Sequence, residues 1–171
     1  MTNRGGVAID PGKHEVHLAW AVGDAVLCAS LPTRAEIMQG FLKQLHRLGY
    51  VAVVCESPFC GRNRKTYAEL FHVVESLRSA ASRAGLKFIT VAPRQWQKAV
   101  LRMPSDKGKK ETQRSVVMKA RSRIFARRVM GGYDLKRQDH CDAICILWSY
   151  EERLLADSVY DRLCEQQKGT I

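Results

Sequence analysis

Two short apolar runs, Val7 to Asp10 and Val51 to Glu56, each finish on an acid just before a proline-containing turn, Pro11-Gly12 and Ser57-Pro58. Runs this apolar and β-branched suit strands covered on both faces, the setting of a parallel sheet. A helical pattern lies between them, the connection that parallel pairing requires. If the two strands lie side by side, Asp10 and Glu56 meet at one sheet edge, where open α/β sheets bind ligands. Taken singly, each acid is better explained as a turn residue, because Asp before Pro-Gly is common in turns.

The remaining pattern extends this sheet. His17 to Trp20 resumes after Lys13-His14-Glu15, and Gly23-Asp24 turns into Ala25 to Leu31, so the first thirty residues read as an antiparallel meander of three strands. Thr33 with Glu36 is expected to form a capping box for a helix with Ile37, Phe41, Leu45 and Leu48 inward, stopped by Gly49. A second helix is expected from Thr66 to Ala84 (Leu70, Val73, Val74, Leu77 and Ala81 inward), then a strand from Lys87 to Val91 ended by Pro93. A short helix holding Trp96, a Pro104 to Gly108 loop and a longer helix from about Lys110 to Arg128 follow. In the longer helix Val117, Ala120, Ile124 and the stem of Arg128 are expected on one face. After the breaker Gly131-Gly132, Asp139 to Leu155 reads as an apolar helix, and the tail beyond Asp157 is polar. These elements predict a single α/β domain over 1–171, with a core over about 6–155. Its mixed five-stranded sheet has three antiparallel N-terminal strands followed by parallel ones, flanked by helices.

Charge narrows the partner. The formal net charge is +11, and the segment from Arg94 to Arg137 holds fourteen Lys or Arg against Asp106, Glu111 and Asp134, so it carries the whole imbalance. Such a concentration attracts a polyanion, and nucleic acid is favoured over an acidic membrane surface because the segment lacks a large apolar face. No apolar run approaches the roughly 20 residues that cross a bilayer. The start, MTNRGG, lacks the apolar stretch of a secretion signal, so a cytoplasmic protein of a bacterium or a phage-infected host, with reduced thiols, is expected. Cys55 with Cys60, and Cys141 with Cys145, miss the spacing of a structural zinc site.

A third acidic element changes the weight given to the first two. Gln138-Asp139-His140-Cys141-Asp142-Ala143 heads an otherwise apolar helix, with Asp139 and Asp142 three apart on one face. Asp139 is also explained as an N-terminal cap, but Asp142 lies a turn further in, beside Ala143 and Ile144, where capping explains it poorly. Four carboxylates so placed suit two hard cations, Mg²⁺ or Mn²⁺. Two such ions about 4 Å apart activate a water and stabilise the leaving oxygen in phosphodiester cleavage. His140 is expected behind the ligands, whereas His14, His17, His46 and His72 share no register with the acids and receive no role.

Ile9-Asp10-Pro11-Gly12, Cys55-Glu56-Ser57 and Asp139-x-x-Asp142-Ala143 resemble, in this order, the acidic tetrad of RuvC-type Holliday junction resolvases, over about residues 6–150. The resemblance implies a ribonuclease H-like fold and a Mg²⁺- or Mn²⁺-dependent endonuclease with two ions held by Asp10, Glu56, Asp139 and Asp142. It implies a homodimer that cuts four-way or other branched DNA, without a nucleotide cofactor or membrane partner. Phe59 stands in the place of the family's base-stacking aromatic, and packing under the following helix explains it equally well. Lys107, Lys109 and Lys110 fall in the family's basic loop, and Lys110 is the candidate for supporting transition-state charge. Arg62, Arg64, Lys65, Arg94, Lys98 and Arg114 complete the expected DNA contacts. Thr66 to Ala84 is the candidate dimer helix, although core packing accounts for its apolar residues too. The cysteine-rich surroundings and the stiff Ser57-Pro58 turn depart from the family pattern. A transposase-type or RNA-processing nuclease of the same fold, and a DNA-binding module without catalysis, remain alternatives; an actin-like ATPase would need a second lobe.

Overall fold

The computed structural model describes residues 4–59, 63–101, 111–133 and 135–151. Among these, five strands form one sheet in the order β3-β2-β1-β4-β5: β1 (Arg4–Pro11), β2 (Glu15–Val22), β3 (Ala25–Pro32), β4 (Tyr50–Glu56) and β5 (Lys87–Val91). The first three pair antiparallel as a meander, and β4 pairs parallel with both β1 and β5, as expected. The connections run through α1 (Ala35–Arg47) and α2 (Arg64–Ala84); α3 (Pro93–Leu101), α4 (Glu111–Val129) and α5 (residues 138–151) follow.

Strand alternation divides the interior into two cores. Val7, Ile9, Val16, Leu18, Val53 and Cys55 face α1 and α2, packing on Met38, Leu42, Leu45, Val74 and Leu77. Ala8, Ala19 and Val54 face the other way, toward Trp96 of α3, Ala126 of α4 and Cys141, Ile144 and Cys145 of α5. The second face is built from smaller side chains, and this lets α5 approach closely. At Gly6 a Cβ would stand 2.7 Å from Cε1 of Tyr150, so the crossing tolerates only glycine. With Tyr150 over the start of β1, the opposite end of α5 lies over the end of β1.

Three local expectations are corrected. Thr33 does not cap α1: Arg34 holds the N-cap position without a side-chain cap, and the Thr33 hydroxyl donates instead to the carbonyls of Lys13 and His14, tying down the β1–β2 turn. The inner face of α1 is Met38, Leu42 and Leu45, while Ile37 and Leu48 are 38% and 58% exposed. Positions 38, 42 and 45 form an equally regular helical stripe, and periodicity alone cannot rank the two. In α4, Ser122 and Ala126 are buried, with Met118, Phe125 and Val129 packed beside them, while Ile124 is exposed: the inner stripe is 118, 122, 125, 126 and 129 rather than the one through 117, 120 and 124.

Candidate active site

The β1–β2 turn sets the register at the site. Gly12 N–H donates to the Glu15 carbonyl at 3.0 Å, closing a turn that places Asp10 opposite His17 on β2; His17 is in turn opposite Ser30 on β3. Opposed residues on paired strands share a face. On the other side of β1, Ile9 pairs with Cys55, so Asp10 and Glu56 stand at the same end of neighbouring parallel strands. Alternation from Ala8 and Val54 puts both acids on the α5 side. A single row, Ser30, His17, Asp10 and Glu56, therefore crosses four strands beneath the first turns of α5, which bring Gln138, Asp139, His140 and Asp142.

Each carboxylate has a distinct support. Glu56 accepts a hydrogen bond from the indole N–H of Trp96 at 2.8 Å; Trp96 is buried and anchors α3 to the sheet. Asp142 accepts from the Gln138 side-chain amide at 3.1 Å, and the same amide reaches the buried Ser122 hydroxyl of α4 at 2.6 Å. Asp139 is half exposed, with Oδ2 3.3 Å from Nε2 of the buried His17. Arg137 ties the start of α5 to the meander, donating to Glu15 at 2.7 Å and to Ser30 at 3.3 Å.

The electrostatics are those of a site that lacks positive charge. Burial pushes the Asp10 carboxyl well above its usual range, and the charges of Glu56, Asp142 and Asp139 push it further. Glu56 rises to about 6 through burial and the charge of Asp142, opposed by the Trp96 N–H and a hydrogen bond with Asp10. Asp142 is also raised by burial, against the pull of Ser122, Gln138 and the nearby Lys119 charge. Burial lowers both His17 and His140.

Among the described residues no three His, Cys, Asp or Glu side chains already close around one point. The donor set nevertheless suits hard divalent cations: oxygen ligands from three segments, mutually repelling and partly desolvated, whose repulsion a cation would relieve. The described cysteines are free thiols. A groove of about 430 Å³ between α3 and α4, lined by residues such as Leu101, Arg121 and Phe125, lies apart from the carboxylates.

The structure brings together Asp10, Glu56, Asp139 and Asp142 as the sequence leads one to expect. Phe59 is 64% exposed, so it is not packed under α2. Arg64 and Lys65 are exposed at the start of α2 and Arg94 and Lys98 on α3, while Arg114 of α4 is half-buried. Arg62, Lys107, Lys109 and Lys110 lie outside the described residues. Three residues at the site have no role in the sequence expectations. His17 is legible once the turn is counted, since a hairpin closing at Gly12 must oppose residues 10 and 17. Trp96 and Lys119 give no signal, because their contacts to the site depend on how α3 and α4 pack.

No protein-family model and no curated protein sequence matches the chain. Solved structures do. A structure of T. thermophilus RuvC in complex with Holliday junction substrate aligns with a TM-score of 0.65 at 18% identity, covering 87% of this chain and 94% of that one. A Thermus thermophilus RuvC structure aligns at 0.62 and 17% identity, covering 87% and 95%. Likeness at this level of identity is likeness of fold.

Proposed function

We propose that this chain, which has a RuvC-like fold of the ribonuclease H type, is a metal-dependent endonuclease that cleaves four-way or otherwise branched DNA. The observation that carries the reading is the convergence of four carboxylates from β1, β4 and α5 at one sheet edge, three of them with raised pKa. Mutual repulsion of this kind costs stability and is retained where a function needs it. The two RuvC structures, one of them in complex with a Holliday junction, support the choice of substrate.

Asp10, Glu56, Asp139 and Asp142 would hold two Mg²⁺ or Mn²⁺ ions. When bound, the ions supply the charge that eases deprotonation of an attacking water and stabilises the leaving oxygen. The chain's own residues prepare that chemistry. The Trp96 N–H fixes one oxygen of Glu56, and the Gln138 amide fixes one oxygen of Asp142. Gln138 also links Asp142 to α4, whose exposed Lys119 and, one turn on, Arg123 offer a phosphate-binding surface on the side of the acids. Exposed Phe59, three residues beyond Glu56, is available to stack on a base unpaired at the branch point. Lys110 and the basic loop around it complete the proposed grip. A homodimer would place two such sites on one symmetric junction, with α2 as the contact helix, where Phe71 is exposed beside Tyr67.

The test is cleavage of a labelled four-way junction and a matched linear duplex by wild type and Asp142→Asn, with Mg²⁺, Mn²⁺ or EDTA. Wild type is expected to nick the junction only with a metal present. The variant should bind the junction with similar affinity and cut it about a hundred- to a thousandfold more slowly, as expected when a charge-stabilising group is removed. Absence of cutting of any branched or single-stranded nucleic acid by wild type would leave a DNA-binding module as the better reading.

A further inference from the structure

We infer that residues 158–165 of this chain dock in the groove between α3 and α4, with Val159, Tyr160, Leu163 and Cys164 against its apolar lining and Asp161 and Glu165 on the flank nearer Arg121 and Arg128. The groove takes no part in the acidic cluster, so the inference stands apart from the nuclease reading.

The described residues form the groove and leave it open. It measures about 430 Å³, with Val100 and Leu101 on the α3 side and Ile124 and Phe125 on the α4 side. Arg121 ties the two helices together by donating to the Leu101 carbonyl at 3.0 Å, and Arg128 lines the groove about two turns further along α4. Phe125 meets Trp148 of α5 edge-on, with ring centroids 5.8 Å apart. Ile124 is 56% exposed, and Trp148 is exposed too. An apolar strip with two cations at its border therefore runs from α3 across α4 to α5, the kind of surface that a further segment covers.

The chain itself supplies a match. Beyond Glu151 it continues for twenty residues. They are polar on balance, but Ser158-Val159-Tyr160-Asp161 has the spacing of a capping box, which predicts a helical start after Asp157. In helical spacing Val159, Tyr160, Leu163 and Cys164 share one face, and Asp161 and Glu165 follow around the flank beside Cys164. A face of this kind needs an apolar surface to cover it. Acids on its flank suit a groove walled by Arg121 and Arg128.

Reach and charge both favour this segment. Trp148 precedes Glu151 by only three residues, so its partner Phe125 lies within about a turn of the last described residue of α5. The seven residues from Glu151 to Ser158 span up to about 23 Å when extended. Residues 102–110 follow Leu101 directly but suit the groove poorly. They carry Arg102, Lys107, Lys109 and Lys110 against Asp106, which the two arginines repel, and Met103 is their one long apolar side chain.

The experiment places the photocrosslinking side chain p-benzoylphenylalanine at position 160 of the full chain and maps the products by mass spectrometry, without metal or DNA. Crosslinks within one chain to residues 99–101 or 121–128 are expected. Crosslinks between two chains would give the groove to a second copy. That result, crosslinks elsewhere in the chain, or no crosslink at all would each overturn the inference. Backbone hydrogen exchange is measured alongside. In Leu163→Asp, and in a chain ending at Asp157, amides of residues 97–101 and 121–128 should exchange about tenfold or more faster. Arg128→Glu should speed the same amides, and adding Glu165→Arg should slow them again. Groove amides that exchange equally fast in all chains, and slow only when DNA is added, would give the groove to nucleic acid and overturn the inference. The crosslink is read in an otherwise unaltered chain, so it decides the matter even where a variant fails to fold.

Discussion

At the scale of single residues, the site is defined by acids that resist ionisation. Asp10, Glu56 and Asp142 all have folded-state pKa values above those of an unfolded chain. The native state therefore binds more protons than the unfolded state between about pH 4 and the folded values, and these groups reduce stability as pH rises through that window. Without divalent ions, these three carboxylates pull the melting temperature down between about pH 5 and pH 7.5, on about 1.4 kcal/mol per pKa unit, while His17 and His140, whose values burial lowers, act with the opposite sign up to about pH 6.5. Mg²⁺ or Mn²⁺ should restore the stability, and Asp10→Asn should remove both the fall and much of the restoration. Differential scanning fluorimetry of wild type and Asp10→Asn across pH with EDTA or metal checks this; a wild type whose melting temperature varies with pH in EDTA no differently from that of Asp10→Asn would contradict it. Trp96 makes a second residue-level prediction. Its N–H favours the charged form of Glu56, so Trp96→Phe keeps most of the ring packing and raises the Glu56 pKa further. The acidic limb of the cleavage pH profile should move to higher pH, whereas a purely structural role would lower the rate without moving the limb.

At the scale of elements, the strands are more legible in the sequence than the helix faces. Buried strands announce themselves by apolar runs, and glycine marks the ends of α1 and α2 through positive φ at Gly49 and Gly85. The inner face of α1 keeps Phe41 and Leu45 of the stripe that periodicity suggests but takes Met38 and Leu42 in place of Ile37 and Leu48, because the two stripes are equally regular and only the docked sheet chooses between them. The face of α4 escapes periodicity for a different reason. Its inner stripe runs Met118, Ser122, Phe125, Ala126 and Val129, and the serine at its centre, which bonds Gln138, breaks the hydrophobic signal. With that face inward, Lys119 and Arg123 are exposed on the side of the acids. Replacing each by Ala should weaken junction and duplex binding to a similar degree and lower the salt dependence by roughly one unit of log–log slope for each phosphate no longer neutralised. Affinity titrations at several salt concentrations measure it; an unchanged slope would place the DNA elsewhere.

At the scale of the whole molecule, a five-stranded mixed sheet carries α1 and α2 on one face and α3 to α5 on the other, with the acids at the end of the second face. The four acids can be picked from sequence because each ends or begins an element and chain order alone determines which ends meet. His17 and Trp96 cannot be picked in the same way. One depends on the residue count of a turn, the other on the docking of a helix two elements further along the chain. The small side chains of Gly6, Ala8 and Ala19 beneath α5 make the two kinds of information consistent, since they allow Asp139 and Asp142 to come down onto the strand ends. Anomalous diffraction from a crystal of the full chain soaked in Mn²⁺ tests the central claim most directly. Two peaks about 4 Å apart among Asp10, Glu56, Asp139 and Asp142 are expected. Anomalous density elsewhere on the molecule, with none among these four carboxylates, would contradict it.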